Sequence, residues 1–140
     1  MGTTKYILPV LAGVLTGMVL ILLGENYIHS LYPFPAGIDP SDKSDLAAYI
    51  RTLPDKAFVL LIINYAVCSF LAGLVATLVA KRIALRPALV VGIVLTIGGL
   101  YDIVYMPQPL WVSLFSMLVY LPFAYFGYLV VRKNASPAGI

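Results

Sequence analysis

Four long apolar runs, almost free of charge, decide most of what this chain can become. The first extends from about Tyr6 to Ile28, the second from Ala57 to Ala80, the third from Pro87 to about Met106 and the fourth from Leu110 to Val131. Each is close to the roughly 20 residues that an α-helix needs to cross a bilayer. Between Pro87 and Val131 the single charge is Asp102, and that stretch is too long for one crossing. Pro107 and Pro109, flanking Gln108, divide it, because proline breaks a helix and restricts the residue before it. The expectation is an all-α integral membrane protein, a bundle of four transmembrane helices forming one membrane domain over residues 1–140.

Composition agrees. Hydrophobic residues make up 61% of the chain and charged residues 11%, against roughly half and about a quarter in soluble domains. A small water-soluble fold leaves too much of its surface exposed to hide that much apolar material. The net charge of +3 is therefore no sign of a nucleic-acid partner. The one cysteine, Cys68, lies inside an apolar run and reads as a small buried hydrophobe. Leu22-Leu23-Gly24 lacks the small-residue pattern of a signal-peptide cleavage site, so the first run is expected to be a retained helix.

The positive-inside rule sets the expected orientation. Lys5, Lys81, Arg82, Arg86, Arg132 and Lys133 fall at one set of helix ends. Glu25, Asp39, Asp42, Asp45, Asp55 and Asp102 fall at or toward the other, together with Lys43, Arg51 and Lys56. Both termini are thus expected in the cytoplasm, with Tyr27, Tyr32, Tyr101, Tyr105 and Trp111 near the outer interface. The outer loop, residues 30–54, opens on the proline-punctuated Tyr32-Pro33-Phe34-Pro35-Ala36-Gly37. Asp39-Pro40-Ser41-Asp42 then reads as a helix start. Leu46, Tyr49, Ile50 and Leu53 recur at helical spacing, which predicts a short amphipathic helix. That helix either floats on the membrane surface or caps the bundle's outer mouth.

In lipid, helices associate by close packing of small residues. The second span carries Ala66, Ser69, Gly73, Ala76 and Ala80 as one stripe, the third Ala88, Gly92, Thr96 and Gly99, the first Gly13, Gly17 and Gly24. Intramolecular packing is the expected use, with dimerisation through Gly13-x-x-x-Gly17 as the alternative. Pro122 is expected to kink the fourth helix.

Ionisable groups in a span are expensive, so they count first as functional candidates. Glu25 and His29 are four residues apart and share a helical face. Asp102 lies three residues beyond Gly99 and is expected to point inward, and the neutral Asn64 lies deeper. Together they predict a polar cluster in the outer half of the bundle, under the amphipathic helix. A histidine with two carboxylates suits a divalent ion such as zinc, so Glu25, His29 and Asp102 are the candidate metal ligands, and a proton relay is the other sharp reading. Against these stand helix-end capping by His29 and a hydrogen bond accepted by Glu25 from a neighbouring tyrosine or Asn26. The sequence contains no phosphate-binding glycine loop and no hydrolase or zinc-protease motif. A haem-carrying bundle usually wants two axial ligands; His29 is the only histidine, and Met18, Met106 or Met117, the possible second ligand, is far more often packing.

The run Gly24-Glu25…His29…Tyr32-Pro33…Pro35…Gly37…Asp39…Asp42, then Leu46…Tyr49…Leu53-Pro54, resembles a group of uncharacterised small bacterial membrane proteins with four spans and an acidic, proline-rich first loop. The likeness extends weakly to Gly73 and to the Pro107…Pro109 turn. It implies the four-span architecture and the bacterial inner membrane, and it carries no activity. Small multidrug transporters are similarly short, but their glutamate sits near the middle of the first span, whereas Glu25 sits at the end of this one. The leading expectation is a non-enzymatic accessory or interaction subunit whose partners are the bilayer and another membrane protein, or a second copy. The alternatives are a homo-oligomeric transporter or ion-conducting protein using the Glu/His/Asp cluster, and a metal-binding membrane enzyme facing outward.

Overall fold

The computed structural model describes residues 6–33, 35–39, 41–80, 85–105 and 109–139, and among these it contains five helices and no strand. They are α1 (Ile7–Leu31), α2 (Lys43–Thr52), α3 (Asp55–Val79), α4 (Leu85–Tyr105) and α5 (Leu110–Gly139). All but α2 are long and apolar enough to cross a membrane, so this is a multi-pass four-helix membrane bundle. The Pro107-Gln108 turn and the basic residues Lys5, Lys81 and Arg82 lie outside the described residues.

Helix ends depart from the expected bounds for local reasons. α1 continues to Leu31 rather than Ile28, because nothing disfavours helix until Tyr32, which precedes Pro33 and is pushed out of the α region. α3 begins at Asp55, with Pro54 at its N-cap and the carboxylate matching the helix dipole. α4 begins at Leu85, which places Pro87 in the first turn, where a missing N–H costs no hydrogen bond. α5 passes Pro122 without a break and runs beyond Arg132 and Lys133 to Gly139. Those two cations mark where the apolar run stops, and a charged residue of this kind forms helix as readily as leucine.

α3 is the central element: it packs against α1, α4 and α5, while α4 packs against α1, α3 and α5. The small residues supply the contacts, but the α3 stripe divides between two faces. A Cβ on Gly13 of α1 would stand 2.8 Å from the Ala72 carbonyl oxygen, 2.8 Å from Val91 and 2.9 Å from the Ala76 methyl. One on Gly17 would stand 3.0 Å from the Ala72 methyl. Ala72 and Ala76 thus receive α1. Gly73, one residue along, faces the backbone of Ala124 in α5, and Gly127 of α5 faces the backbone of Phe70, Gly73 and Leu74. Ala66, Ser69 and Ala88 are likewise buried. Gly92 and Gly99 of α4 meet Leu121 and Tyr120 of α5. The Gly13-x-x-x-Gly17 stripe, the alternative dimer motif, is occupied within the chain.

The amphipathic helix caps the bundle. Tyr49 and Ile50 of α2 are buried with Phe58 of α3 and Val112 of α5, and Leu46, Leu53 and Trp111 close the cluster. The Tyr49 hydroxyl donates to the Tyr32 carbonyl, tying α2 to the end of α1.

The loop aspartates are used locally. Asp42 Oδ1 accepts from the Ser44 amide at 2.9 Å and hydroxyl at 2.8 Å, and from the Asp45 amide at 3.4 Å, which caps α2. Asp39 accepts twice from Ser41, and Asp45 Oδ2 accepts from the Asp39 amide. The bonds from Ser41 and Ser44 hold the carboxyls of Asp39 and Asp42 below their ordinary value of 3.8. A depressed carboxylate stabilises the folded form above its unfolded pKa, and that contribution is lost as pH falls through the folded value. Acidification from neutral pH to well below 3.8 is therefore expected to fray the start of α2. Hydrogen-exchange protection of the Ser44 and Asp45 amides should fall severalfold while that of the α3 amides holds.

Candidate functional site: a carboxylate chamber under the α2 roof

Glu25 and His29 come from the last two turns of α1, and their four-residue spacing puts both toward α2 and α3. Asp102 comes from the last turn of α4, one turn beyond Gly99. These three line a cavity of about 200 Å3 beneath α2, with Leu46, Tyr49, Ile50, Leu53, Phe58, Leu61 and Tyr65 as the rest of its wall. Of the four expected polar residues, Glu25, His29 and Asp102 thus border one cavity, with Glu25 half-buried and His29 exposed. Asp102 is an exposed residue rather than a buried one, because it lies at the open seam between α1 and α4.

That seam is a second cavity, of about 350 Å3, running from the same two carboxylates down between α1 and α4. Its walls are Met18, Ile21 and Leu22 of α1, Val94, Leu95, Gly98 and Gly99 of α4, and Tyr120 of α5. Met18, Leu22 and Val94 are exposed on the lipid-facing surface, so the crevice opens sideways. Glu25 and Asp102 thus stand where the cavity roofed by α2 meets the lateral crevice.

Glu25 is fixed by Tyr65 of α3, whose hydroxyl donates to Oε1 at 2.8 Å. Tyr65 is itself buried and stacks on Tyr120, with ring centroids 5.6 Å apart. One carboxylate oxygen is thereby committed to an immobilised phenol. A bond to Glu25 from a neighbouring tyrosine is among the sequence expectations. Which tyrosine makes it is not written there, since Tyr65 sits beside Asn64 in a uniformly apolar run.

Asn64 serves elsewhere. Its Nδ2 donates to the Ile21 carbonyl at 3.3 Å, and its Oδ1 accepts from the Cys68 thiol at 3.4 Å. It fills the space beside Gly24, where any Cβ would collide with it. This is a polar bridge between α1 and α3, seated in the room that Gly24 leaves, and Asn64 is not among the residues that line either cavity. Cys68 is buried, as expected.

The chemistry available follows from the donor set. Among the described residues no group of three His, Cys, Asp or Glu side chains is placed as a metal ion would need. Two carboxylates close enough to repel each other are a pair whose repulsion a cation would relieve. Sequence alone does not single out Tyr65, Tyr120 or Gly127, because a tyrosine or glycine inside an apolar run has no distinguishing neighbour. No family model, curated protein or solved structure matches the chain.

Proposed function

We propose that this protein is a small carrier or transporter of the bacterial inner membrane that binds an organic monocation at Glu25 and Asp102. The observation that carries this reading is the sharing of those two carboxylates by the roofed cavity and the lateral crevice. A purely structural pair needs no space on either side of it. The balance of basic residues supports a roofed end on the outer face and termini in the cytoplasm.

Lateral interaction with a partner subunit, the expectation placed first by sequence, draws support from the exposed apolar face of α1, including Leu8, Leu11, Leu15 and Leu22. Lipid covers such a face equally well, and the carboxylate chamber is the more specific feature.

Methylammonium titrated calorimetrically into the protein in phosphatidylcholine nanodiscs is expected to bind saturably, one per chain, with millimolar affinity or better. Tetramethylammonium should compete and acetate should not. A titration no different from empty nanodiscs overturns the proposal.

A further inference from the structure

The lateral crevice has two unlike ends. Its upper end is the carboxylate pair, and its walls below are hydrocarbon: Met18, Ile21 and Leu22 face Val94, Leu95 and Gly98. A Cβ built on Gly98 would meet nothing within 4 Å, whereas one on the adjacent Gly99 would press on the Tyr120 ring at 2.6 Å. The bundle is therefore packed tight along the inner side of this seam and open at its lipid-facing mouth. The opening lies directly below the two negative charges.

We propose that the crevice binds an amphiphile with one alkyl-like tail and an ammonium head, admitted from the surrounding lipid between α1 and α4. This rests on the reading of Glu25 and Asp102 as a cation site. Charge selects the occupant. A fatty acid would bring a third carboxylate to the pair, and a neutral chain would add nothing to offset the repulsion between the two already there. An alkylammonium ion satisfies both ends at once: its tail replaces lipid against Met18, Leu22 and Val94, and its head reaches the carboxylates of Glu25 and Asp102.

Octylammonium and methylammonium separate the two routes. In nanodiscs octylammonium gains affinity merely by concentrating in lipid, so the decisive comparison is Gly98→Leu, whose side chain has room to fill the mouth. This variant is expected to weaken octylammonium binding about tenfold or more, while methylammonium, which reaches the carboxylates from beneath the α2 roof, stays within about twofold. Leu22→Trp on the facing wall should report the same split independently, and retained methylammonium binding certifies that each variant is folded. Octylammonium binding that both variants leave untouched overturns the lateral crevice and leaves the cation site standing. Failure of methylammonium to bind the unmodified protein overturns the cation site, and with it this inference.

Discussion

Gly73→Leu is expected to abolish the folded bundle. A Cβ at Gly73 would land on the carbonyl oxygen, Cα and carbonyl carbon of Ala124, and one at Gly127 would land on the Phe70 carbonyl oxygen and the Leu74 amide nitrogen. All of these are backbone atoms in the middle of continuous helices. Over-packing that side chains can absorb costs about 1–3 kcal/mol. Here no rotamer relieves the contact, so α3 and α5 must separate, and α3 is the helix that also holds α1 and α4. The loss should therefore reach about 3 kcal/mol or more, which is a large share of what a small domain has. Gly73→Leu should migrate as aggregate on size exclusion and show no cooperative unfolding, and Gly127→Leu should behave alike. Gly98→Leu, placed where a Cβ meets nothing, is the control and should unfold near the unmodified protein. A cooperative, unshifted transition for Gly73→Leu would mean that α3 and α5 do not approach as closely as the structure has them.

The contrast between Gly73 and Gly98 also marks where sequence reading stops. Spans are legible because the bilayer fixes their length, and each of the four predicted runs is a helix here. What a span's residues face is not, since lipid and a neighbouring helix are equally apolar and leave no hydrophobic stripe to read. Depth along a helix can be counted, and counting brings Glu25, His29 and Asp102 to one end. Azimuth cannot: Asn64 and Tyr65 are adjacent, yet Asn64 bridges to the α1 backbone and Tyr65 reaches the Glu25 carboxylate. The single α3 stripe divides between two partners for the same reason, as do Gly98 and Gly99 between lipid and Tyr120. α2 is the instructive exception. It is the one helix at a water boundary, so its apolar face is legible, and Tyr49 and Ile50 are the residues it buries.

The combined change Glu25→Gln with Asp102→Asn should remove methylammonium binding, by about a hundredfold or more, while leaving the bundle as stable as before or more so. Binding falls because each charged contact to a cation contributes about 1.5–3 kcal/mol, and both are deleted. Stability is spared for a geometric reason. A glutamine in place of Glu25 would retain an oxygen to accept the Tyr65 hydroxyl bond now made to Oε1, and Asp102 already sits in open space at the seam. Removing two like charges that act on each other relieves their repulsion, the usual signature of residues kept for function at some expense of stability. Were Glu25 and Asp102 structural, the amides would be expected to lower the unfolding temperature and to leave cation binding where it was. Tyr65→Phe separates the positioning role from the charge: it leaves both carboxylates but frees Glu25 to rotate, so affinity should fall severalfold with the charge dependence intact. Thermal unfolding and calorimetric titration of the unmodified protein and these two variants decide between a chamber built to bind and a polar patch built to hold helices together.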